Sequence, residues 1–378
     1  MTDWRLVQLG DIADEVTVGH VGSMVHEYQS HGVPLLRSQN VLRHGFDLRD
    51  VKFISSDFHG RLKKSALRPG DVVTVRTGKP GATAVVPPDW EHANCSDLVI
   101  TRPGKEIDPY WLSYYINSAA SGYIDSQLVG AVQQHFNVGS AKSMVLNLPS
   151  MAEQRAIAEV LGALDDKITA NTKLAETTDQ LARLVYTSIL ADATEIPLSK
   201  TAEFVNGKAF TKGASGTGRV VVRIAELNSG IGGSTVYSDA EVDDKHTARA
   251  GDLLFAWSGS LTLHRWYRED AIINQHIFKV IPLDDYPLWL VDQLLQSKIG
   301  HFKAVAADKA TTMGHIQRRH LDEPVLVPSP EAIRANSVLM EGLWNLGLLA
   351  EQENEKLAAS RDALLPQLMS GQLRVSDL

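Results

Sequence analysis

Three clusters of polar side chains in each half of the chain have the chemistry to read the edges of DNA bases. Arginine can bind guanine, and glutamine or asparagine can bind adenine, through paired hydrogen bonds, whereas contacts to phosphates add affinity without sequence information. Any single member could equally be a solvated loop residue. The clusters of the first half are Arg37, Ser38, Gln39, Asn40 and Arg43; Arg76, Thr77 and Lys79; and Gln133, Gln134, His135 and Asn137. Those of the second half are Arg223, Glu226 and Asn228; Trp257, Ser258 and Ser260; and Lys309, Thr311, Thr312, His315, Gln317, Arg318 and Arg319.

The charge of the chain is unevenly distributed. The net charge is −8, of which residues 1–150 and 193–330 carry −1 each, while residues 151–192 and 331–378 carry −3 each. The two large blocks are therefore nearly neutral and could meet DNA, although helix surfaces are often acidic for other reasons. Arg61, Lys63 and Lys64 form the densest basic run, which suits phosphate contact and an ordinary solvated face equally well.

Other chemistries lack their motifs in the sequence. There is no phosphate-binding G-x-x-x-x-G-K-[ST] loop, and one cysteine with scattered histidines gives no zinc-ligand spacing. Asp108-Pro109-Tyr110 lacks the second proline and the glycine-rich cofactor motif of an amino-methyltransferase. We therefore expect no catalytic residue, no metal site and no cofactor in this chain.

Composition predicts a soluble cytoplasmic protein. The 378 residues are 44% hydrophobic, enough for two or three domains with sizeable cores. The single cysteine, Cys95, permits no disulfide within the chain and favours a reducing compartment. Neither a signal peptide nor an apolar run of the ~20 residues needed to span a bilayer is present.

The sequence contains two copies of the elements that would position these clusters, about 180 residues apart. Pro69-Gly70-Asp71-Val72-Val73 corresponds to Ala250-Gly251-Asp252-Leu253-Leu254, and Trp111-Leu112 corresponds to Trp289-Leu290, among other matches in unbroken order. Each half therefore reads as a mixed α/β block of short strands followed by a long helix.

Both long helices have start signals and one apolar stripe. Ser150 and Glu153 form a capping box, and Ser329-Pro330 places a cap residue before a first-turn proline. The second helix is predicted to end near Pro366 or, capped by Gly371, slightly later. The first stripe is Ile157, Leu161, Leu164, Ile168, Asn171, Ala175, Thr178, Ala182, Val185 and Ile189. The second is Leu339, Leu343, Leu346, Ala350, Glu353, Leu357, Ser360 and Leu364.

The 4-and-3 spacing of both stripes is typical of coiled coils, and an antiparallel pair would bury both stripes in a rod of about 57 Å. Alternatively, each helix packs only on its own block. We expect an α+β fold in which two similar mixed α/β domains are separated by two long helices packed as an antiparallel coiled coil. The predicted segments are a first domain over 1–149, a helix over 150–192, a second domain over 193–328, and a helix with a C-terminal tail over 329–378. The polar stripe positions Asn171, Glu353 and Ser360 either fix the register or face solvent or a partner.

Residues 148–168, LPSMAEQRAIAEVLGALDDKI, closely resemble the central conserved region of the specificity subunits of Type I restriction–modification systems. Residues 364–375, LLPQLMSGQLRV, are similar to the distal conserved region of that family, and residues 6–13 and 69–73 resemble further elements. The second copy departs from the pattern, because Ala332-Ile333-Arg334 stands where the first has Glu153-Gln154-Arg155.

The resemblance implies a non-catalytic phage-defence subunit that recognises a bipartite, asymmetric site in double-stranded DNA. Each block would be a target-recognition domain for one half-site, and the helices would set the spacer. Two adenine-methyltransferase subunits using S-adenosylmethionine would dock on the helices, and ATP-driven restriction subunits could join. The residues assigned to the coiled coil and to partner docking are Glu153, Gln154, Arg155, Ile157, Leu161, Leu164, Ile168, Leu339, Leu343, Leu346, Leu357 and Leu364. A scaffold without DNA sequence choice, or an enzyme with an unrecognised site, are the alternatives.

Overall fold

The computed structural model describes residues 4–78, 80–128, 136–283, 285–308 and 314–378. They form two compact units, one of residues 1–166 with 358–378 and the other of residues 167–357. None of the helices described has both the length and the apolar character required to cross a bilayer.

The first domain is built from short strands and short helices and runs into the first long helix. Its strands are β1 (Arg5–Gln8), β2 (Ala13–Val18), β3 (Val33–Leu36), β4 (Val41–Leu42), β5 (Gly45–Phe46), β6 (Lys52–Ile54), β7 (Ala66–Leu67), β8 (Val72–Val75), β9 (Thr83–Val85), β10 (Ala93–Cys95), β11 (Leu98–Pro103) and β12 (Val145–Leu148). Its helices are α1 (Leu9–Ile12), α2 (Ser56–Arg61), α3 (Pro109–Asn117), α4 (Ser121–Leu128) and α5 (Val138–Lys142), followed by α6 (Met151–Ser188).

The second domain repeats this plan. Its strands are β13 (Thr194–Pro197), β14 (Ala202–Asn206), β15 (Arg219–Val222), β16 (Val236–Ser238), β17 (Thr247–Ala248), β18 (Leu253–Ala256), β19 (Thr262–Arg265), β20 (Ala271–Ile273), β21 (Ile277–Pro282) and β22 (Pro324–Val327). Its helices are α7 (Ile224–Ser229) and α8 (Leu288–Asp308), followed by α9 (Pro330–Ser370).

The same strand order recurs in both domains. The first domain has one sheet of order β6-β3-β10-β7 and another of order β2-β11-β8-β9, and the second has β16-β15-β20-β17 and β14-β21-β18-β19. The terminal pairs β1-β12 and β13-β22 also correspond. Only the central pairs β3-β10 and β15-β20 are parallel among the ladders described. The predicted fold class, with two similar mixed domains and a pair of long antiparallel helices, is confirmed.

The ends of the long helices follow the predicted chemistry. At the start of α6, the Glu153 amide donates to Ser150 Oγ (3.3 Å), and the Ser150 amide donates to Glu153 Oε2 (3.2 Å). At the start of α9, the Ala332 amide donates to Ser329 Oγ (3.3 Å). Helix α9 continues through Pro366 to Ser370, where Gly371 with φ of 72° ends it. A left-handed residue at this point is the usual helix stop, so the later of the two predicted ends is the observed one.

Each unit contains part of the antiparallel helix pair. In the first unit, Ile157 and Leu161 of α6 share a buried core with Leu368 and Met369 of α9. In the second unit, Ala182 of α6 lies in one core with Met340 of α9, and Asn171 Nδ2 donates to Glu353 Oε2 (2.7 Å). Asn171 and Glu353 thus face each other across the pair, whereas Ser360 is exposed.

The predicted stripe of α6 is buried or half-buried throughout, but the stripe predicted for α9 needs a correction. Leu339 and Leu346 are 49% and 42% exposed, while their neighbours Met340 and Gly347 are buried. The reason is that this part of α9 packs on the core of the second domain as well as on α6, with Met340 inside that core. A heptad count assumes that a helix faces another helix alone, so at these two positions it misplaces the buried side chain by one residue.

Candidate nucleic-acid interface

In the first domain, two of the predicted clusters follow strands that end at a common edge. Because β3 and β10 are parallel neighbours, with Leu36 opposite Cys95, the residues that follow them emerge side by side. The Ser96 amide donates to the Leu36 carbonyl (2.9 Å), which places Arg37 next to the turn between β10 and β11. The β11 ladder with β8 brings Arg76, which follows β8, to the same turn.

Asp97 is the centre of this turn. Its backbone has φ of 54°, a left-handed conformation that aspartate tolerates better than most residues. Arg76 Nη1 donates to Asp97 Oδ1 (2.8 Å), and Thr77 Oγ1 donates to Asp97 Oδ2 (3.0 Å). The Asp97 amide donates to the carbonyl of His20 (3.0 Å). One carboxylate therefore orients a guanidinium and a hydroxyl, the kind of support that fixes a base-reading side chain.

The third predicted cluster of the first domain reaches the same place through its described end. The Phe136 amide donates to the Arg76 carbonyl (3.1 Å), so the chain before α5 is anchored beside the Arg76 loop. Asn137 itself caps α5 by accepting from the Ser140 amide (2.9 Å). The remaining cluster members here, Lys79, Gln133, Gln134 and His135, lie outside the described residues.

The second domain builds the same turn from different side chains. His276 stands at the position of Asp97 with φ of 72°, and its carbonyl accepts from the Trp257 amide (3.1 Å). The rings of Trp257 and His276 lie 5.1 Å apart, and the ring of His315 is 6.4 Å from Trp257. Trp257 Nε1 donates to Asn206 Oδ1 (2.8 Å). Here an aromatic cluster replaces the charged one.

A basic groove lies beside the first turn. This groove, of about 270 Å³, is lined by His20, Arg61, Lys63 and Lys64, together with apolar and small residues at the end of β2, directly after it and after α2. The Arg61 guanidinium rests 5.0 Å from the centre of the Phe58 ring, which holds it near the groove. The concave shape and the concentration of positive charge suit a phosphate backbone.

In the second domain, a groove of about 430 Å³ collects members of two predicted clusters, Asn228 and Ser260, with Gly314 beside them. Lys303 of α8 also lines it and was not predicted. Arg318 and Arg319 line another groove, with Ser199 and Glu203. Gln317 is exposed. Lys309, Thr311 and Thr312 lie outside the described residues.

Several predicted residues are occupied by contacts within the fold. Asn40 is buried, accepts from the Arg37 amide (3.0 Å) and donates to the Asp47 carbonyl (2.9 Å). Ser258 is buried as well. Gln39 Nε2 and Arg37 Nη2 both donate to Asp50 Oδ2. Hydrogen bonds from Lys52 and then from Arg37 lower the pKa of Asp50 to about 2. Ser38 is half-buried and Arg43 is exposed.

Arg223 is held inside the second domain by a buried carboxylate. Its Nε donates to Glu226 Oε2 (3.0 Å), its Nη2 donates to Glu226 Oε1 (2.6 Å), and Glu226 is itself buried. Residues beside the two turns that were not predicted are Asp97 and His276 themselves, and their neighbours His20, Asn206 and Lys208. The sequence signal available for them was the repeat: Ser96-Asp97 and Gln275-His276 precede matching strands at the same spacing. Within the part of the chain described, no group of histidine, cysteine and acidic residues could hold a metal ion.

The residues assigned to the helices divide into packed and exposed ones. Gln154 is fully buried: its Oε1 accepts from the Asp108 amide (2.8 Å), and its Nε2 donates to the carbonyls of Glu106 (2.9 Å) and Pro149 (3.0 Å). It therefore joins α6 to the first domain rather than facing solvent. Arg155 is exposed and Glu153 half-buried, whereas Leu164, Ile168, Leu343, Leu357 and Leu364 are half-buried in the pair.

An exposed apolar stripe remains on each helix within the second unit. On α9 it consists of Val338 (86% exposed), Leu339, Leu346 and Leu349 (62%), and on α6 it consists of Leu174, Leu181 and Leu184 (68%). Exposed apolar residues at helical spacing on a water-facing helix are typical of protein–protein contact surfaces.

Comparison with known proteins gives matches to specificity proteins of Type I restriction systems. A family model described as "Type I restriction modification DNA specificity domain" matches residues 1–178. The chain is 26% identical over 204 residues to the Type I restriction enzyme HindI specificity subunit of Haemophilus influenzae, covering 51% of this chain and 42% of that protein. It is 23% identical over 262 residues to the EcoKI specificity subunit of Escherichia coli, covering 61% and 55%. The chain thus matches about half the length of these relatives.

The fold also has a solved counterpart. The crystal structure of the S subunit of a Type-I restriction-modification system from M. genitalium superposes with a TM-score of 0.63 and 13% sequence identity. The match covers 97% of this chain and 96% of that one. At this identity the likeness bears on the fold, and it extends over both domains and both long helices.

Proposed function

We propose that the chain is a specificity subunit of a Type I restriction–modification system, from the match of residues 1–178 to the family model and the likeness to such subunits. It would select a bipartite site in double-stranded DNA, one half-site per domain, without catalytic chemistry of its own. The observation that carries this proposal is the pair of equivalent turns. Asp97 and His276 occupy one backbone position in two copies of one fold, yet one is set among Arg76 and Thr77 and the other among Trp257 and His315. Two different readers on one scaffold suit an asymmetric target.

The chemistry of each edge supports base reading. Arg76, held by Asp97, can present its remaining guanidinium hydrogens to the O6 and N7 atoms of guanine in the major groove. In the second domain, Asn228 and Ser260 of the groove offer donors and acceptors, while Trp257 and His276 offer ring surfaces for apolar contact with a thymine methyl group.

The surrounding basic residues support binding to the phosphate backbone. Arg61, Lys63 and Lys64 in the first domain and Lys303 in the second line grooves. Their contribution to affinity would be independent of sequence and would weaken as salt rises, because each phosphate contact releases condensed counterions. This term compensates for the net charge of −8 of the whole chain.

The long helices supply the remaining parts of the proposal. They would fix the spacer between half-sites and dock two adenine-methyltransferase subunits, which carry S-adenosylmethionine, and restriction subunits that consume ATP could join. The exposed apolar stripes that include Val338 and Leu349 on α9 and Leu184 on α6 are the docking surface that this proposal favours. Such stripes lose their contact with water only when another protein covers them.

One experiment tests the whole proposal. The chain is co-expressed with its cognate methyltransferase subunit in a host free of DNA methylation, and modified adenines are mapped by long-read sequencing. A split motif is expected, and replacement of residues 1–150 with those of a relative should change one half of it only. Binding of duplex DNA with no motif, even with the methyltransferase present, would instead favour a scaffold that joins proteins.

A further inference from the structure

In each unit, a polar node links the recognition domain to both long helices. In the first unit, the node is the Asp165 carboxylate of α6. Tyr114 of α3 donates its hydroxyl to Asp165 Oδ2 (2.5 Å), and Arg361 Nη1 of α9 donates to Asp165 Oδ1 (2.7 Å). A single carboxylate thereby links the domain, the first long helix and the second. Because Tyr114 is buried, its hydroxyl hydrogen-bonds to Asp165 instead of to water.

The first node also touches a turn that carries a candidate DNA contact. The His44 ring stacks on Tyr114 with 4.3 Å between ring centres, and His44 Nδ1 lies 3.2 Å from Asn117 Nδ2. His44 belongs to the β4–β5 turn, directly after the exposed Arg43. Burial lowers the pKa of His44 to about 4, so the ring is neutral at physiological pH and stacks as an uncharged partner.

In the second unit, the node is a buried guanidinium. Arg265 of β19 donates from Nε to Glu351 Oε2 of α9 (2.9 Å) and from Nη1 to Asp179 Oδ1 of α6 (3.3 Å). Its guanidinium carbon lies 4.8 Å from the centre of the Trp344 ring. Gly347 provides the necessary space, because a Cβ at that position would lie 2.6 Å from Arg265 Nη2.

At the second node, the duplication places a polar residue in the position that Tyr114 has at the first. Asp292 of α8 stands 178 residues after Tyr114, the same separation as between Trp111 and Trp289. Asp292 lines a cavity of about 120 Å³ together with Arg265, Asp179 and Glu351. The duplication has therefore kept a polar contact between domain and helices while replacing the residues that make it.

Directional bonds are suited to fixing an angle. Apolar packing is non-directional and permits small tilts, whereas a hydrogen bond to a charged group weakens steeply as its geometry departs from linear. Buried polar contacts often specify one arrangement among several of similar packing energy. We infer that Tyr114 and Arg265 are positioning residues that hold each recognition domain at one orientation on the helices, and so make the complex strict about spacer length. This inference rests on the proposed function.

The test for the first node is Tyr114→Phe, which removes one oxygen atom and preserves the packing of the ring. Its matched control is Tyr115→Phe, because the Tyr115 hydroxyl donates within the domain, to the Val145 carbonyl (3.2 Å). Complexes reconstituted with the methyltransferase act on duplexes whose spacer has the cognate length or is one base pair shorter or longer. Tyr114→Phe should raise the ratio of off-length to cognate methylation about tenfold, as expected for losing one hydrogen bond to a charged group, while Tyr115→Phe leaves it unchanged.

The second node is tested by Arg265→Gln and, independently, by Gly347→Ala, which displaces the guanidinium without removing it. Arg249→Gln is the control, since Arg249 pairs with Asp244 inside the domain. Both variants of the second node should raise the ratio of off-length to cognate methylation, while the bases recognised in each half-site stay the same. An unchanged spacer ratio in Tyr114→Phe and in Gly347→Ala, with both proteins folded by thermal melting, would overturn the inference and leave the proposed function intact. Absence of any split motif with the wild-type chain would overturn the proposed function instead.

Discussion

At the turn after β10 in the first domain and after β20 in the second, a carboxylate and an imidazole occupy equivalent left-handed positions. Asp97 organises Arg76 and Thr77 through both of its oxygen atoms, and His276 packs against Trp257. Left-handed backbone at a non-glycine residue is uncommon and is concentrated at functional turns. Both residues are therefore more informative about function than the flanking hydrophobic residues, which serve packing.

The variant Asp97→Asn tests whether the first turn reads bases. Asparagine accepts the left-handed backbone but loses the charge that orients Arg76. We expect about 1–3 kcal/mol less discrimination at one base pair of the first half-site, and no change in the second. Competition binding with duplexes mutated in one half-site measures this discrimination. The control is Asp47→Asn, because Asp47 pairs with the exposed Arg49. Equal losses in both half-sites would contradict a local reading role.

Asp292 provides a second residue-level prediction. Burial and then the nearby charge of Asp179 raise the pKa of Asp292 to about 6 from an ordinary value of 3.8. The Asp292 carboxyl thus holds its proton more tightly in the folded chain than in the unfolded chain. The contribution of the protonated carboxyl to the free energy of unfolding is present at low pH and is lost as pH rises through about 6.

We therefore expect Asp292→Asn to stabilise the chain at pH 7–8, by up to about 3 kcal/mol, and the gain to shrink as pH falls toward 4. Thermal melts across this range compare it with Asp285→Asn, a change at an exposed carboxyl of the same domain. A gain that is constant with pH would show that the Asp292 carboxyl does not titrate in this window.

At the scale of elements, local signals predicted the helices better than the sheets. The caps at Ser150, Ser329 and Gly371 are local chemistry, and each is found where the sequence places it. The parallel pairs β3-β10 and β15-β20 join residues some sixty and fifty positions apart, and no local pattern encodes such a pairing. Without those pairings, Asp97 and His276 could not be placed at the same edge as the predicted clusters.

The phase of α9 illustrates a different failure. Spacing alone puts Leu339 and Leu346 on the packed face, but Met340 and Trp344 turn toward the core of the second domain. When a helix packs on two neighbours, its buried face follows both, and a heptad pattern describes only one of them. The two leucines outside this packing are exposed.

The exposed stripe of α9 gives the prediction at this scale. Val338→Asp, combined with Leu349→Asp, should lower the affinity of the chain for methyltransferase subunits at least tenfold, because a carboxylate in the centre of an apolar interface is desolvated without a partner. The fold should be unaffected, since both side chains face water. Isothermal titration with the purified methyltransferase measures the change. Leu283→Asp, another exposed apolar residue of this unit, is the control and should bind normally.

At the scale of the whole molecule, the duplication could be predicted from the sequence because motifs such as Gly70-Asp71 and Gly251-Asp252 recur in the same order. The identical strand order of the two domains is the structural counterpart of that repeat. What the repeat could not provide is the chemistry of each reading edge, since the side chains at equivalent positions differ. Under the proposed function, specificity would lie in the residues that the duplication did not preserve.

The proposed role of the helices as a spacer leads to a prediction about length. Seven residues are inserted in α6 after Asp166 and seven in α9 after Leu357, where the two compact units meet in sequence. A heptad keeps the same helix faces in contact and adds about 10 Å, which corresponds to roughly three base pairs. Mapping of modified adenines should therefore return the original half-sites with a longer spacer.

Insertion in α6 alone is the matched control. It would displace Asn171 along the pair relative to Glu353, because α9 keeps its original length. Pairing of the helices and specific methylation should therefore both fail. With both insertions, a spacer of unchanged length at full activity would mean that the distance between half-sites is set by the domains themselves. Altered half-site sequences would mean that the helices contribute to reading as well as to spacing.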